Sequence, residues 1–575
     1  MAEPSAEEQA REVADRYWDR LLELDPIAAT QVGDDRFDDR LPDPSDEGIA
    51  RRATVLASAR RDVAGIDRSG LGTDARTTLD VLDAVARQGL EAIDYRIDRL
   101  QAVSHLLGPG QLLAQLATLQ RADTPERAAA YAGRLRAIPT YLERMAAVAR
   151  GGVTAGMTAP ALVVDRTIAQ MQRLLATAPE ESPGMAPLPA DSPDREEVAA
   201  VLRDDVWPAY RRYLDLLIEY RPHAREEDVG TWALPRGEEI YASQIRAHTT
   251  LPLTAREVHA TGLRELEAVQ EEAGAVAGRL GYPDAQSALA AYAATGRNTA
   301  ASREQLLDLA RRQVEKSWEA ARGFFGRMPA SPCEVKAVEE FREQDMPPAF
   351  YYPPSADGSR PGAYYINLGA LPSRPLHMLA ATSYHEANPG HHFQISIEQE
   401  FTDRPALRRF GGIWAGTAFA EGWGLYCERL ADEMGLYGDD YERLGMLAGQ
   451  AWRAVRLVVD TGLHALGWDR GRAVDLAVSA GLARSTAEVE VDRYISWPGQ
   501  ALAYKTGQVE IQRLRAEASS SPDFSLPAWH DKLLELGTLP LLVLREEMQR
   551  STWDWPASCQ GEQAVEKGSE RPWSR

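Results

Sequence analysis

Ser383-Tyr-His-Glu-Ala-Asn-Pro-Gly-His-His-Phe-Gln394 is the stretch whose reading decides this chain. It gathers three of the ten histidines, His385, His391 and His392, around one glutamate, Glu386. Two imidazoles and a carboxylate are what a zinc ion takes from a protein, and a further carboxylate beside the ion can act as general base. The run before it, 371–384, reads as a helix arriving at the motif. Thirty residues past His391, a second expected helix over 418–430 carries Glu421 among Phe419, Trp423 and Leu425. An unpaired carboxylate on so apolar a segment would be costly. His-Glu, then His, then a later helical Glu is the order of a gluzincin-type metallohydrolase.

In a regular helix the second histidine of such a site lies four residues after the first, on the same face. That slot holds Pro389, which cannot ligate. His391 is six residues on and would be turned away; His392 is seven on, roughly 10 Å along the axis. Neither shares an ion with His385 in an unbroken helix. Asn388-Pro389-Gly390 must therefore break it, Pro by kinking and Gly by accepting unusual dihedrals. His391 is the expected second ligand because fewer residues must be accommodated, with His392 as the alternate. The histidine left over is expected to donate to the substrate or to a ligand.

Four segments resemble one family: His385–Gln394, Ala420–Glu428, Val459–Trp468 and Arg493–Lys505. In that order and composition they are similar to the bacterial "domain of unknown function 885" proteins, which are grouped with zincin-like metallopeptidases chiefly by this motif. The resemblance implies a large helical enzyme with a small sheet bordering its cleft. It also implies a tyrosine hydroxyl aimed at the reacting carbonyl, for which Tyr504 is the candidate and Tyr494 the weaker one.

The whole chain is compatible with this. Its 575 residues carry a formal charge of −22, with 44% hydrophobic and 26% charged residues. That is ordinary globular composition, and the acidity argues against nucleic-acid or anionic-membrane partners. Three cysteines, Cys333, Cys427 and Cys559, are too few and too scattered for a disulfide framework. The acidic first residues lack the apolar core of a signal peptide and no apolar run approaches a transmembrane length, so a cytoplasmic location is expected. Many relatives look like secreted lipoproteins; this chain departs from them.

Helical periodicity dominates, over 7–24, 77–100, 125–148, 195–220, 255–280, 302–327, 443–466 and 526–548. The fold class is therefore mainly α. The expected division is an N-terminal helical region (1–178), a Pro-rich loop (179–194), a helical catalytic region (195–551) and a disordered tail (552–575). Strand signals cluster at 334–338, 349–352 and 363–368, just before the motif. The stretch 362–368 is the expected edge strand, with Tyr365 and Asn367 offered to an extended peptide.

Glu386, next to the first ligand, is the expected general base. Glu428, further along the Glu421 helix, is expected to hold a ligand histidine from behind. Arg456, Asp460 and His464 recur every four residues on one helix. They read either as a structural ladder or as a supporting set, Asp460 orienting a ligand or His464 and His464 steadying an oxyanion. Arg493 is a candidate for a substrate carboxylate. The expected function is a zinc-dependent hydrolase of a peptide or other small amide. Alternatives are a specialised amide or ester hydrolase of small-molecule metabolism, and a non-haem Fe(II) enzyme using the same two-histidine, one-carboxylate ligands. A non-catalytic scaffold with a vestigial site is argued against by the intact Glu386.

Overall fold

Alternating apolar and charged positions close into long helices wherever the sequence also supplies a cap. Ser5 and Glu8 form a capping box that starts Ala6–Leu24, and Thr254 and Glu257 do the same for Ala255–Arg279. The computed structural model describes residues 4–340, 343, 346–354 and 360–550. It is mainly helical, with one three-stranded sheet. The expected disordered tail lies outside the described residues.

Several helices differ from the periodicity at their ends. The 371–384 run is two 3₁₀ turns, Leu371–Ser373 and Leu376–Met378, before the helix proper begins at Leu379, because Pro372 and Pro375 cannot sit inside an α-helix. The 526–548 segment is two helices, Leu526–Leu536 and Leu541–Arg550, parted at Gly537 with φ +69°. The 195–220 helix carries a π segment at Leu202–Val206.

The Pro-rich loop does not divide the packing. One buried core joins Leu112–Leu217 side chains to Ala380, Tyr384, Val455 and Tyr494; a second joins Ala10–Ala86 side chains to Phe393, Trp423, Trp529 and Met548. Both cores take residues from each side of the loop. The candidate motif lies where they meet, Tyr384 in one and Phe393 in the other.

The sheet is β1 (Glu334–Ala337), β2 (Ala349–Tyr352) and β3 (Ala363–Ile366), in the order β1-β3-β2. β1 runs parallel to β3 and β2 antiparallel. This corrects the expected edge strand: 363–366 is central, paired on both sides, and cannot add a peptide strand. Its burial is the reason, since Ala363, Tyr364 and Ile366 are buried where an edge would be half open. Among the described residues no helix is long and apolar enough to cross a membrane.

Candidate metal centre

The helix Leu379–Glu386 stops where the sequence required a break, and a second helix, His391–Glu400, starts in a new direction. Between them the Asn388–Pro389 bond is cis, and Ala387 and Gly390 take non-helical dihedrals. A Cβ on Gly390 would lie 1.9 Å from the His385 carbonyl oxygen, so only glycine lets the chain fold back so closely. The break is anchored from the helix Thr417–Glu433: Trp423 Nε1 donates to the carbonyls of Pro389 and Gly390 at 3.0 and 3.1 Å, and Cys427 Sγ lies 3.3 Å from that of Pro389.

The fold-back brings His391 to His385. Their ring centroids are 4.8 Å apart with the planes at 88°. Glu421 completes the group: its Oε2 is 3.5 Å from His385 Nε2 and 3.8 Å from His391 Nε2. One potential ligand atom from each of the three lies within 4.8 Å of the others, the one such grouping of His, Cys, Asp and Glu among the described residues. Behind it, His385 Nδ1 donates to Glu428 Oε1 at 2.9 Å, which directs Nε2 at Glu421. Gly424 makes the room. A Cβ there would sit 2.7 Å from His385 Nε2.

The donors suit a divalent cation such as zinc. His391 makes no hydrogen bond from either ring nitrogen among the described residues, and its Nδ1 is buried without a partner. Burial and the neighbouring His385 charge lower its pKa to about 4, so the ring is neutral, the form a metal ligand needs. Burial pushes Glu421 up, but the His385 hydrogen bond and the charges of His391, His385 and Arg456 outweigh it and hold the carboxyl down to about 2. Burial likewise works against charge on His385, yet hydrogen bonds to Glu421 and Glu428 lift it to about 10. Without a metal the group therefore keeps a proton on His385 between two ionised carboxylates, and a cation bound there would displace it.

Glu386 lies on the same turn as His385 and makes no hydrogen bond among the described residues. Burial raises its carboxyl to about 7, against the lowering pull of His385. It is half-buried, as are His391 and Glu421, whereas Glu428 is 2% exposed. The open face of the group thus holds two of the three expected ligands and the expected base, and buried His385 and its support lie beneath.

Other expected residues sit elsewhere or act differently. His392 is not a ligand: it is fully buried, accepts at Nδ1 from Tyr351 Oη (3.0 Å) and donates from Nε2 to the Ser331 carbonyl (2.9 Å). Both nitrogens are committed to tying the helix to the sheet region, so it also has none to offer a substrate. His464 is not an oxyanion donor, since it accepts from the Thr231 amide at 3.1 Å and donates to the Tyr494 carbonyl at 3.0 Å. Asp460 orients no histidine; it accepts from Tyr241 Oη at 2.6 Å and from the Gly499 amide at 3.1 Å. Asn367 is fully buried, its amide donating to the carbonyls of Glu343, Met346 and Pro347, so it shapes a loop and does not bind substrate. Tyr365 is half-buried and stacks on Phe350 with centroids 5.2 Å apart. Tyr504 and Arg493 are together, Arg493 Nη2 lying 3.5 Å from Tyr504 Oη.

Sequence reasoning missed the partners of Arg456. It donates to Glu490 and Tyr494, 34 and 38 residues away, rather than to Asp460 on its own helix. No local spacing carries that signal. It also missed Gln450 and Lys505, whose buried amide and ammonium meet at 2.9 Å, the amide donating on to Glu428 at 3.3 Å.

Solved structures with this fold are known. A protein named "putative lipoprotein from Colwellia psychrerythraea" superposes with a TM-score of 0.88 at 26% identity, covering 95% of this chain and 99% of its own. A second, a "putative lipoprotein of unknown function from Shewanella oneidensis", does so with a TM-score of 0.73 at 19% identity, covering 93% and 99%. Comparison with curated proteins yields no match. Residues 26–548 match the model for "Bacterial protein of unknown function (DUF885)", and the chain belongs to that family.

Proposed function

We propose that this protein is a zinc-dependent hydrolase of peptide or other amide bonds. The observation that carries the reading is the meeting of His385, His391 and Glu421, with potential ligand atoms within 4.8 Å of one another, beside a half-buried Glu386 whose carboxylate has no hydrogen-bond partner among the described residues. Those three side chains would hold the ion, and Glu428 would fix the ring of His385. When bound, zinc supplies Lewis acidity, polarising a carbonyl oxygen and acidifying water. Glu386 then takes a proton from water and returns it to the leaving nitrogen, so that water and amide become acid and amine. A carboxyl lifted toward neutrality is suited to both transfers, being neither too weak a base nor too weak an acid. Tyr504, whose ring lies over the Arg456 guanidinium, is the candidate hydrogen-bond donor to the carbonyl oxygen.

The test is direct. Protein purified without added metal is analysed for bound metals and, after zinc loading, incubated with a mixture of short peptides resolved by mass spectrometry. One zinc per chain and cleavage lost in Glu386→Gln support the reading. Stoichiometric iron with oxygen-dependent turnover, or cleavage that persists in Glu386→Gln, overturns it.

A further inference from the structure

A second polar cluster adjoins the candidate metal centre on the helix Asp440–Ala465. Arg453 Nη2 lies 3.7 Å from Glu428 Oε1, the atom that holds His385. Arg456, almost one turn on, is clasped by rings, its guanidinium carbon 4.5 Å from the Tyr504 centroid and 4.8 Å from that of Trp452. Its Nε and Nη2 donate to Tyr494 Oη and Glu490 Oε2, both at 3.1 Å. Its Nη1 is buried with no partner among the described residues. A buried guanidinium N–H left unpaired is costly and calls for an acceptor.

Arg493, from the helix Arg484–Ser496, reaches the same place. Its Nη2 donates to Gln500 Oε1 at 2.6 Å and lies 3.5 Å from Tyr504 Oη, and its Nη1 is 3.7 Å from Glu490 Oε2. Two guanidiniums therefore share one carboxylate oxygen, which also accepts from Tyr494 Oη at 2.9 Å. One positive charge is left over. The cluster is near the metal group: Arg453, almost one turn before Arg456 on the same helix, reaches the carboxylate that holds His385, and a Cβ on Gly507 would lie against Ala418, which sets Tyr504, almost one turn before it, beside the start of the Glu421 helix. Arg493 is 26% exposed and Glu421 23%, so both can be reached from outside.

We propose that Arg456 and Arg493 form a receptor for a single substrate carboxylate beside the metal centre, with the Tyr504 ring holding the Arg456 guanidinium in place. A planar fork with one surplus charge matches a carboxylate better than a dianion. The inference rests on the hydrolase reading and narrows it: the bond cleaved lies close to a free carboxylate, either the C-terminus of a peptide or an acidic side chain.

Binding tests it independently of turnover. The probes are N-acetyl-Ala-Ala-Leu, its C-terminal amide, and N-acetyl-Ala-Glu-Leu amide, titrated calorimetrically into zinc-loaded Glu386→Gln protein. The free acid is expected to bind roughly ten- to a hundred-fold more tightly than the amide. Arg493→Gln should bring the two to equal affinity with zinc content and circular dichroism unchanged, and Arg493→Lys should fall between. Tight binding of the glutamyl amide alone, lost in Arg493→Gln, also supports the receptor and assigns the carboxylate to a side chain. Equal affinity for acid and amides, no measurable binding of any probe, or a preference that survives Arg493→Gln overturns it. If the preference holds while Glu386-intact protein cleaves nothing, the receptor stands and the hydrolase reading falls.

Discussion

The helix Asp440–Ala465 touches two buried clusters of ionisable groups that look alike in sequence and differ in what they leave unpaired. Near its middle, Gln450 and Arg453 back Glu428 and so His385, in a group where His391 has no hydrogen-bond partner among the described residues. Near its end, Asp460 and His464 have every strong acceptor and donor taken, by Tyr241, Gly499, Thr231 and Tyr494. Saturated groups brace a fold. Groups held in place from behind but bare in front are available for chemistry, and this difference separates the two clusters more clearly than residue type or burial does.

The contrast breaks most visibly at the ligands. Replacing His385, His391 or Glu421 by Ala should reduce zinc from about one per chain to near zero by mass spectrometry of the metal and abolish turnover, because two ligands rarely retain zinc. Zinc retained in His391→Ala would dismantle the centre as drawn. Glu386→Gln should keep zinc while lowering kcat roughly 10²- to 10⁴-fold. Glu428→Gln removes the carboxylate behind His385; zinc affinity measured by competition with a chelator should fall roughly 10- to 100-fold. An unchanged affinity would mean that His385 needs no support.

On the saturated side the expected effects are on stability. His392→Ala loses its hydrogen bonds to Tyr351, Ser396 and Ser331 and opens a cavity, so unfolding should become easier by about 2–4 kcal/mol in urea titrations, with zinc content unchanged. Loss of zinc in that variant would show that the alternate histidine had been dismissed wrongly. The smallest change is Asp460→Asn. Burial raises the Asp460 carboxyl to about 7, above its value in the unfolded chain, so the folded state favours the protonated form. Its stabilising contribution is complete below about pH 4 and is lost as pH rises toward 7. The neutral variant should therefore gain in Tm relative to the wild type across that interval, without change in zinc binding. A difference independent of pH would mean that Asp460 is already ionised when folded.

His385, His391 and Glu421 were legible because metal chemistry restricts residue type and order. The break at Pro389 was legible because no unbroken helix lets six-residue spacing converge. Glu428 was found from its helix face. His464 and Asp460 misled because their spacing of four resembles an assembled face, while their partners come from other elements. The strand 363–366 misled because its aromatic and apolar residues mark a strand without saying how many neighbours it has.

Composition and periodicity by themselves determined a mainly helical chain, and local rules determined the helix break, since proline and helix geometry act over a few residues whatever surrounds them. Tertiary structure alone decided that the sheet order is β1-β3-β2, that His392 is spent on Tyr351 and Ser331, and that Arg456 turns to Glu490. Each of these is a competition for a hydrogen-bond partner distant in the chain. Such a contest is settled by which groups the packed cores bring within about 3 Å, a quantity that no local spacing encodes.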